Sequence, residues 1–350
     1  MKRKKNALEN TRTLLAVVLT AFFCREIFAD TLIACAALVA AILLFPFPRS
    51  SKGKLFRLIL SVLISIYAVG IYSEVFPDPI IHPDIDESRI RFHFIDVGQG
   101  DSTFIEFNHG ETMLIDGGTE EYGSVISKYI QSLGYTRIDY VIGTHPHADH
   151  IGGLVPVIQK YDIGGYYTPQ IPDHVAPDTY TPVKLNQILK NKKITTTYIT
   201  KNDVILENED LSVKCISPKP DAYYEDMNQY SAIISITFGK MRIIITGDAG
   251  KQAEYDLVGE NLECEVLRLG HHGSGDATSF SFLDQTSPNI AVISVGIDNE
   301  FYDPNPTLLS RLEDKGIDVF RTDLDGTIQI TLSKYGILDV KKEKSGLILH

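Results

Sequence analysis

The chain has 350 residues, 44% of them hydrophobic, and a formal net charge of −12. That length and apolar content support one large domain or two medium ones with a full core. The acidic balance excludes a broad polyanion-binding face, because phosphate contacts need clustered Lys and Arg. It leaves open a phosphate substrate held by metal ions.

The two ends differ in character. Residues 1–76 carry ten Lys/Arg against four acids, a net of +6, which leaves 77–350 with 23 basic and 41 acidic side chains, a net of −18. After the positive start Lys2-Arg3-Lys4-Lys5, apolar runs cover 31–48 and 55–75, with a marginal third at 11–29. A spanning helix needs about 20 mostly apolar residues, so 1–76 is expected to be a transmembrane anchor of two or three helices in the cytoplasmic membrane. Basic residues at 2–5 and again at Arg49, Lys52, Lys54 and Arg57 place both groups in the cytoplasm. The remainder is then expected outside. Pro77, Pro79 and Pro83 make 77–88 an extended linker.

From residue 89 the pattern is that of a globular domain ending near 333, followed by a tail at 334–350. Strands are expected at 90–96, 102–107 and 112–115, the last ending in Asp116-Gly117-Gly118. A helix over 122–133 carries Ile126, Ile130 and Leu133 on one face and stops at Gly134. A strand at 138–143 leads into Thr144-His145-Pro146-His147-Ala148-Asp149-His150, and a helix at 151–161 follows. A strand at 163–168, a proline-bearing loop at 169–182 and a helix at 184–190 come next. Strands at 194–199, 203–206, 211–217, 231–238 and 241–246 end in Gly247-Asp248, and a helix follows at 250–258. A strand at 263–269 leads to Gly270-His271-His272-Gly273-Ser274. Strands at 289–295, 317–321 and 326–332 and a helix at 306–315 complete the domain. Such runs of strands with attached helices predict an α/β architecture: two mixed β-sheets packed together and flanked by helices, an αβ/βα sandwich. Cys24, Cys35, Cys215 and Cys264 lack CxxC spacing and are expected as small buried hydrophobes.

The chemistry collects where strands end. Imidazole and carboxylate are the ligands that borderline divalent metals prefer. Alternate residues of an extended segment point the same way, so His145 and His147 can reach one metal. Asp149 and His150, past the bend, can face a second. Asp116, Asp248 and the pair His271/His272 each follow an apolar strand beside glycine. His109 and His174 sit in loops and are expected as surface residues.

This set resembles the metallo-β-lactamase fold superfamily, whose HxHxDH run stands here as His145 to His150. Phe94-Ile95-Asp96-Val97-Gly98-Gln99-Gly100-Asp101, Leu114 to Gly118 and Gly270 to Ser274 look like the extracytoplasmic hydrolase domain of ComEC-type competence proteins. The match covers about 89–332 and not the channel-forming membrane domain of those proteins, so a short anchored relative is expected, with no DNA uptake implied. The resemblance implies two divalent metal ions, Zn or Mn. His145 and His147 would hold the first, Asp149 and His150 the second, and Asp248 both. Asp149, Asp116 and His272 would carry the catalysis, with Asp116 orienting ligands.

Two departures stand out. Many superfamily members carry a further histidine ligand before the bridging aspartate; the corresponding entry here reads Met227-Asn228-Gln229. The missing ligand of the first site is expected from His271 or His272, with the other facing the substrate. Relatives also often have His-Pro where this chain has Asp303-Pro304, so Asp303 is either a metal or substrate contact or a turn residue. Asp101 is either part of the site floor or an ordinary turn residue. Ser274 and Ser279 either bind phosphate oxygens or cap a helix.

The leading expectation is therefore a metal-dependent hydrolase of phosphodiester bonds, the substrate being nucleic acid or another phosphodiester. The alternatives are hydrolysis of another ester, such as a phosphocholine ester, lactone or β-lactam, and a non-catalytic anchored binding module. No protein partner is indicated.

Overall fold

The computed structural model describes residues 86–176 and 179–344. The anchor expected over 1–76 and most of the linker lie outside the described residues. Among those described, no helix is long and apolar enough to cross a membrane.

The elements run β1 (Arg89–Phe94), β2 (Thr103–Glu106), β3 (Thr112–Ile115), α1 (Gly123–Ser132), β4 (Arg137–Ile142), α2 (Ala148–Ile151), α3 (Leu154–Lys160), β5 (Asp162–Thr168), α4 (Tyr180–Lys192) and β6 (Thr196–Tyr198). Then come β7 (Val204–Glu207), β8 (Leu211–Ser217), β9 (Ile233–Phe238), β10 (Met241–Ile245), α5 (Lys251–Tyr255), β11 (Val266–Arg268), α6 (Phe280–Thr286), β12 (Ile290–Ile293), α7 (Pro306–Asp314), β13 (Asp318–Arg321), α8 (Thr322–Asp325), β14 (Ile328–Ser333) and β15 (Gly336–Lys342).

They form two mixed sheets. One has the order β15-β14-β1-β2-β3-β4-β5-β6 and the other β13-β12-β11-β10-β9-β8-β7. Within the first, β3, β4 and β5 run parallel; within the second, β10, β11 and β12 do. The period of two sorts the side chains. Ile90, Phe92 and Phe94 of β1 enter a core shared with Val213, Ile234, Ile236 and Ile243 of the other sheet. A second core lies under α1, α3 and α4, with Ile126, Ile130, Leu154, Ile158 and Leu185. A third joins α5, α6 and α7 to the outer face of the second sheet through Ala253, Phe282 and Leu308. These are the layers of the expected αβ/βα sandwich.

Three local differences from the sequence expectation have physical causes. The single helix expected over 151–161 is broken into α2 and α3 at Gly152-Gly153. A Cβ on Gly153 would stand 1.9 Å from the Gly117 carbonyl oxygen, so the helix bends where it presses on the β3 turn. The segment expected as a tail from 334 carries β15, which pairs antiparallel with β14 and caps that edge of the sheet. Two short helices stand where no helix range was expected: α8 follows β13 directly, and α6 follows the Ser-, Asp- and Thr-bearing loop from Ser274, where Ser279 takes the capping one of its two expected roles by accepting from the Phe282 amide at 3.2 Å. Cys215 and Cys264 are buried and free, as expected.

Candidate metal centre

The loops that follow β3, β4, β10 and β11 leave the C-terminal ends of parallel strands, where α/β folds commonly build their sites. Asp116, His145 to His150, Asp248 and His271/His272 all lie on them. The backbone makes the approach close. Gly117 donates its amide to the His150 carbonyl at 2.6 Å, and Asp101 donates to the Asp149 carbonyl at 3.1 Å. A Cβ on Gly100 would lie 2.5 Å from that same Asp149 oxygen.

Three groups of possible ligand atoms converge: Asp101, Asp116 and His150 form one, on the Nδ1 side of the His150 ring, and the other two share Asp248. Of these two, His145, His147 and Asp248 form the first; Asp149, His150, Asp248 and His272 form the second. His145 Nε2 lies 2.9 Å from His147 Nδ1 and 3.8 Å from Asp248 Oδ2. His150 Nε2 lies 3.2 Å from Asp248 Oδ2 and 3.9 Å from Asp149 Oδ2. His272 Nε2 lies 3.3 Å from Asp149 Oδ2 and 3.8 Å from Asp248 Oδ2. The Asp248 carboxylate thus belongs to both groups.

The donor set fits divalent metals. His150 Nε2 and Asp248 Oδ1 are buried with no hydrogen-bond partner, a costly state unless an ion satisfies them. Nitrogen and carboxylate oxygen are what Zn or Mn would accept there.

Electrostatics frees His145 and His147 to bind, while His150 carries a proton that an incoming cation would displace. Burial holds His145 well below its usual pKa, and the neighbouring His150 adds to this, so its lone pair is free at neutral pH. Burial lowers His147 as well. For His150 burial pulls down, but Asp248 and Asp116 outweigh it and hold the ring well above its ordinary value. Asp248 and Asp149 are carboxylates that burial would neutralise. The imidazoles of His150 and His272 keep Asp248 ionised, and the His272 hydrogen bond chiefly keeps Asp149 so.

A layer of partners orients the rings. His150 Nδ1 lies 2.8 Å from Asp116 Oδ2. Thr144 donates its amide to Asp116 Oδ1 at 2.8 Å and its hydroxyl to Oδ2 at 2.7 Å. With its proton given to Asp116, the Thr144 oxygen can accept from His145 Nδ1, 3.2 Å away. His272 Nδ1 donates to the Ser294 carbonyl at 3.0 Å. Each bond turns the other ring nitrogen toward the centre. Asp116 itself sits at φ 57, in the left-handed region that aspartate tolerates better than most residues.

The pair His271/His272 divides in a way the sequence left open. His272 joins the second group rather than completing the first. The reason is local backbone: His271, His272 and Gly273 have φ of 50, 54 and 83, a tight left-handed turn that splays the two rings. His271 Nε2 reaches 3.8 Å from Asp248 Oδ2 and 3.4 Å from Asn228 Nδ2, outside either ligand group among the described residues. Its Nδ1 lies 3.0 Å from Asp276 Oδ1. Burial opposes protonation of His271, but Asp276 and Asp248 raise its pKa to about 9.

The remaining candidates are placed as follows. Asp101 is buried, and its Oδ1 forms an ion pair with Arg268. Asp303 belongs to no ligand group among the described residues. Its amide donates to Asn299 Oδ1 at 3.1 Å and its carbonyl accepts from Asn299 Nδ2 at 2.7 Å, a turn role. Burial raises its pKa. His109 is exposed in the β2–β3 hairpin turn. His174 stacks on Tyr223 with ring centroids 4.4 Å apart and meets the Tyr224 carbonyl at 2.9 Å. Gln99 ties the Asp96–Asp101 turn to the end of β12, its Oε1 accepting from the Gly296 amide at 3.0 Å. Sequence reasoning missed Thr144 and Arg268. The legible signal for Arg268 was a charge inside the apolar run Val266 to Leu269.

The profile of the metallo-beta-lactamase superfamily matches residues 95–297, which include every ligand named above. The chain belongs to the metallo-beta-lactamase superfamily. Among curated proteins it is 30% identical over 255 residues to ComE operon protein 3 of Bacillus subtilis, an alignment covering 67% of this chain and 32% of that protein. It is 28% identical over 257 residues to Competence protein ComA of Neisseria gonorrhoeae, covering 72% and 34%. It is 27% identical over 241 residues to Recombination protein 2 of Haemophilus influenzae, covering 67% and 28%. The chain thus spans about a third of the length of these relatives. It is a metallo-hydrolase of this superfamily related to the ComEC competence proteins.

Proposed function

We propose that this metallo-hydrolase cleaves phosphodiester bonds with two divalent ions, Zn or Mn, and works outside the cytoplasmic membrane from an anchor in residues 1–76. The observation that carries the reading is the sharing of the Asp248 carboxylate by the two ligand groups. A shared carboxylate is what a site for two close ions requires.

Bound there, the ions would activate water and neutralise the charge that develops on a phosphoryl group. The chain's own residues do the rest. Asp116 and Thr144 lock the rings of His150 and His145. The Ser294 carbonyl fixes the His272 tautomer. His271, part-exposed and charged through Asp276, presents Nε2 beside Asp248, where it can donate to a phosphoryl oxygen. The relatives named for competence and recombination favour a nucleic acid as the phosphodiester. The net −18 of residues 77–350 makes the metal centre and His271, rather than a basic groove, the elements that hold it.

The test is turnover by the purified full-length chain, reconstituted with Zn or Mn, on single-stranded DNA, bis-p-nitrophenyl phosphate and a phosphocholine ester. Cleavage of the first two is expected, with loss of more than about 100-fold in Asp149→Ala and Asp248→Ala, since residues that only orient a ligand already cost about 10–100-fold. Turnover confined to the phosphocholine ester, or to none of the three, would reject this reading. Protease digestion of intact cells tests the orientation; a protected domain would reject the external placement.

A further inference from the structure

Arg268 is a fully buried cation, 1% exposed, at the C-terminal end of the apolar strand β11. An unpaired buried guanidinium is expensive, so its partners show what holds it there. One branch pairs with Asp101 Oδ1; the other donates from Nη1 to the Gly247 carbonyl at 2.6 Å. Asp101 in turn donates its amide to the Asp149 carbonyl and accepts from the Gly118 amide at 2.7 Å. Its Oδ2 is buried without a hydrogen-bond partner and lies 3.6 Å from His150 Nδ1. Its Oδ1 lies 3.8 Å from His272 Nδ1.

The pair therefore reaches each of the four ligands of the second group. Asp149 is touched through its carbonyl, Asp248 through that of the preceding residue, and His150 and His272 at the ring nitrogens facing away from the centre. His145 is oriented instead by Thr144, and its Nε2 lies against His147 Nδ1. Charge points the same way. Four carboxylates, Asp101, Asp116, Asp149 and Asp248, lie in this region, and among the described residues Arg268 is the buried guanidinium set beside them.

We infer that Arg268 and Asp101 form a positioning pair for the second metal ion, setting the affinity of the Asp149/His150/Asp248/His272 site and acting much less on the His145/His147 site, which the pair reaches only through the shared Asp248. The inference rests on the two-ion reading above.

The experiment is metal titration of the full-length chain with Zn, read by elemental analysis after dialysis and by competition with a chromophoric chelator. Asp101→Asn keeps the volume and an oxygen for Arg268 but removes the charge. Arg268→Lys keeps the charge but cannot span Asp101 and Gly247 together. Both are expected to bind the second ion about 10–100-fold more weakly, and the first with a much smaller loss, since Asp248 is its one ligand next to a contact of the pair. A merely structural role would weaken both ions in parallel. Parallel weakening, or a second ion held as tightly as in the parent chain, would overturn the inference. If Asp101→Asn fails to fold by circular dichroism, Arg268→Lys decides alone. A parent chain that binds one ion would reject the two-ion reading and this inference with it, whereas a parent with two and variants with two equally tight would reject the inference only.

Discussion

The Asp116 carboxylate stands 2.8 Å from His150 Nδ1, and it is held there by the amide and hydroxyl of Thr144. Asp116 thus joins the end of β3 to the metal loop and fixes the one ring that faces Asp248 most closely. In Asp116→Asn one oxygen becomes a donor, and either Thr144 or His150 loses its acceptor. The second ion is expected to bind about 10–100-fold more weakly. Calorimetric titration checks this, and an unchanged second affinity would count against the orienting role.

Removal of the bridging and the flanking carboxylate should separate the two ions. Asp248→Ala takes a ligand from both groups, so both ions should be lost on dialysis. Asp149→Ala takes one from the second group alone, so one ion per chain should remain. His272→Ala should behave like Asp149→Ala, whereas His271→Ala should keep both ions and lose turnover. Elemental analysis of the four variants reads the ion counts and a phosphodiesterase assay reads the turnover of His271→Ala; loss of an ion from His271→Ala would move that residue into the ligand set.

Glu106 gives a pH-dependent prediction away from the centre. It is buried, with Oε1 2.8 Å from His93 Nε2 and Oε2 accepting from Tyr135 at 2.8 Å and facing Arg91 at 3.4 Å. Burial pushes its pKa up, but His93 and these partners win and hold it below the ordinary 4.5. A carboxyl depressed in the folded state stabilises above its unfolded pKa and loses that contribution as pH falls through the folded value. Glu106→Gln should therefore cost about 2 kcal/mol near neutrality. The gap to the parent should shrink below pH 4.5. Denaturant unfolding at pH 7 and pH 3.5 tests the sign; a gap that widens in acid would contradict it.

Gly100 has φ 154, and a Cβ there would meet the Asp149 carbonyl oxygen at 2.5 Å. Gly100→Ala should destabilise the fold by about 1–3 kcal/mol through backbone strain. It should also weaken the second ion, because the displaced chain carries Asp149. A denaturation midpoint equal to that of the parent would show that the turn relaxes without cost.

Much of the centre was legible in one dimension because its ligands are local. His145, His147, Asp149 and His150 lie within six residues, and strand ending plus glycine flags Asp116, Asp248 and the two histidines of the β11 loop. Periodicity of two and of 3.6 likewise determined the two-sheet, helix-flanked class, since both are properties of a single segment against one apolar face. Only the tertiary structure decided which of His271 and His272 joins a ligand group, because that depends on three successive left-handed residues whose φ values packing imposes. It alone gave Arg268 a partner, 167 positions away in sequence at Asp101: the charge inside the apolar β11 run is visible, but nothing in that run says which distant carboxylate meets it. It alone turned the expected tail into β15, whose strand exists because β14 offers an open edge to pair with. Local residue chemistry names the ligands; long-range packing decides what each one faces.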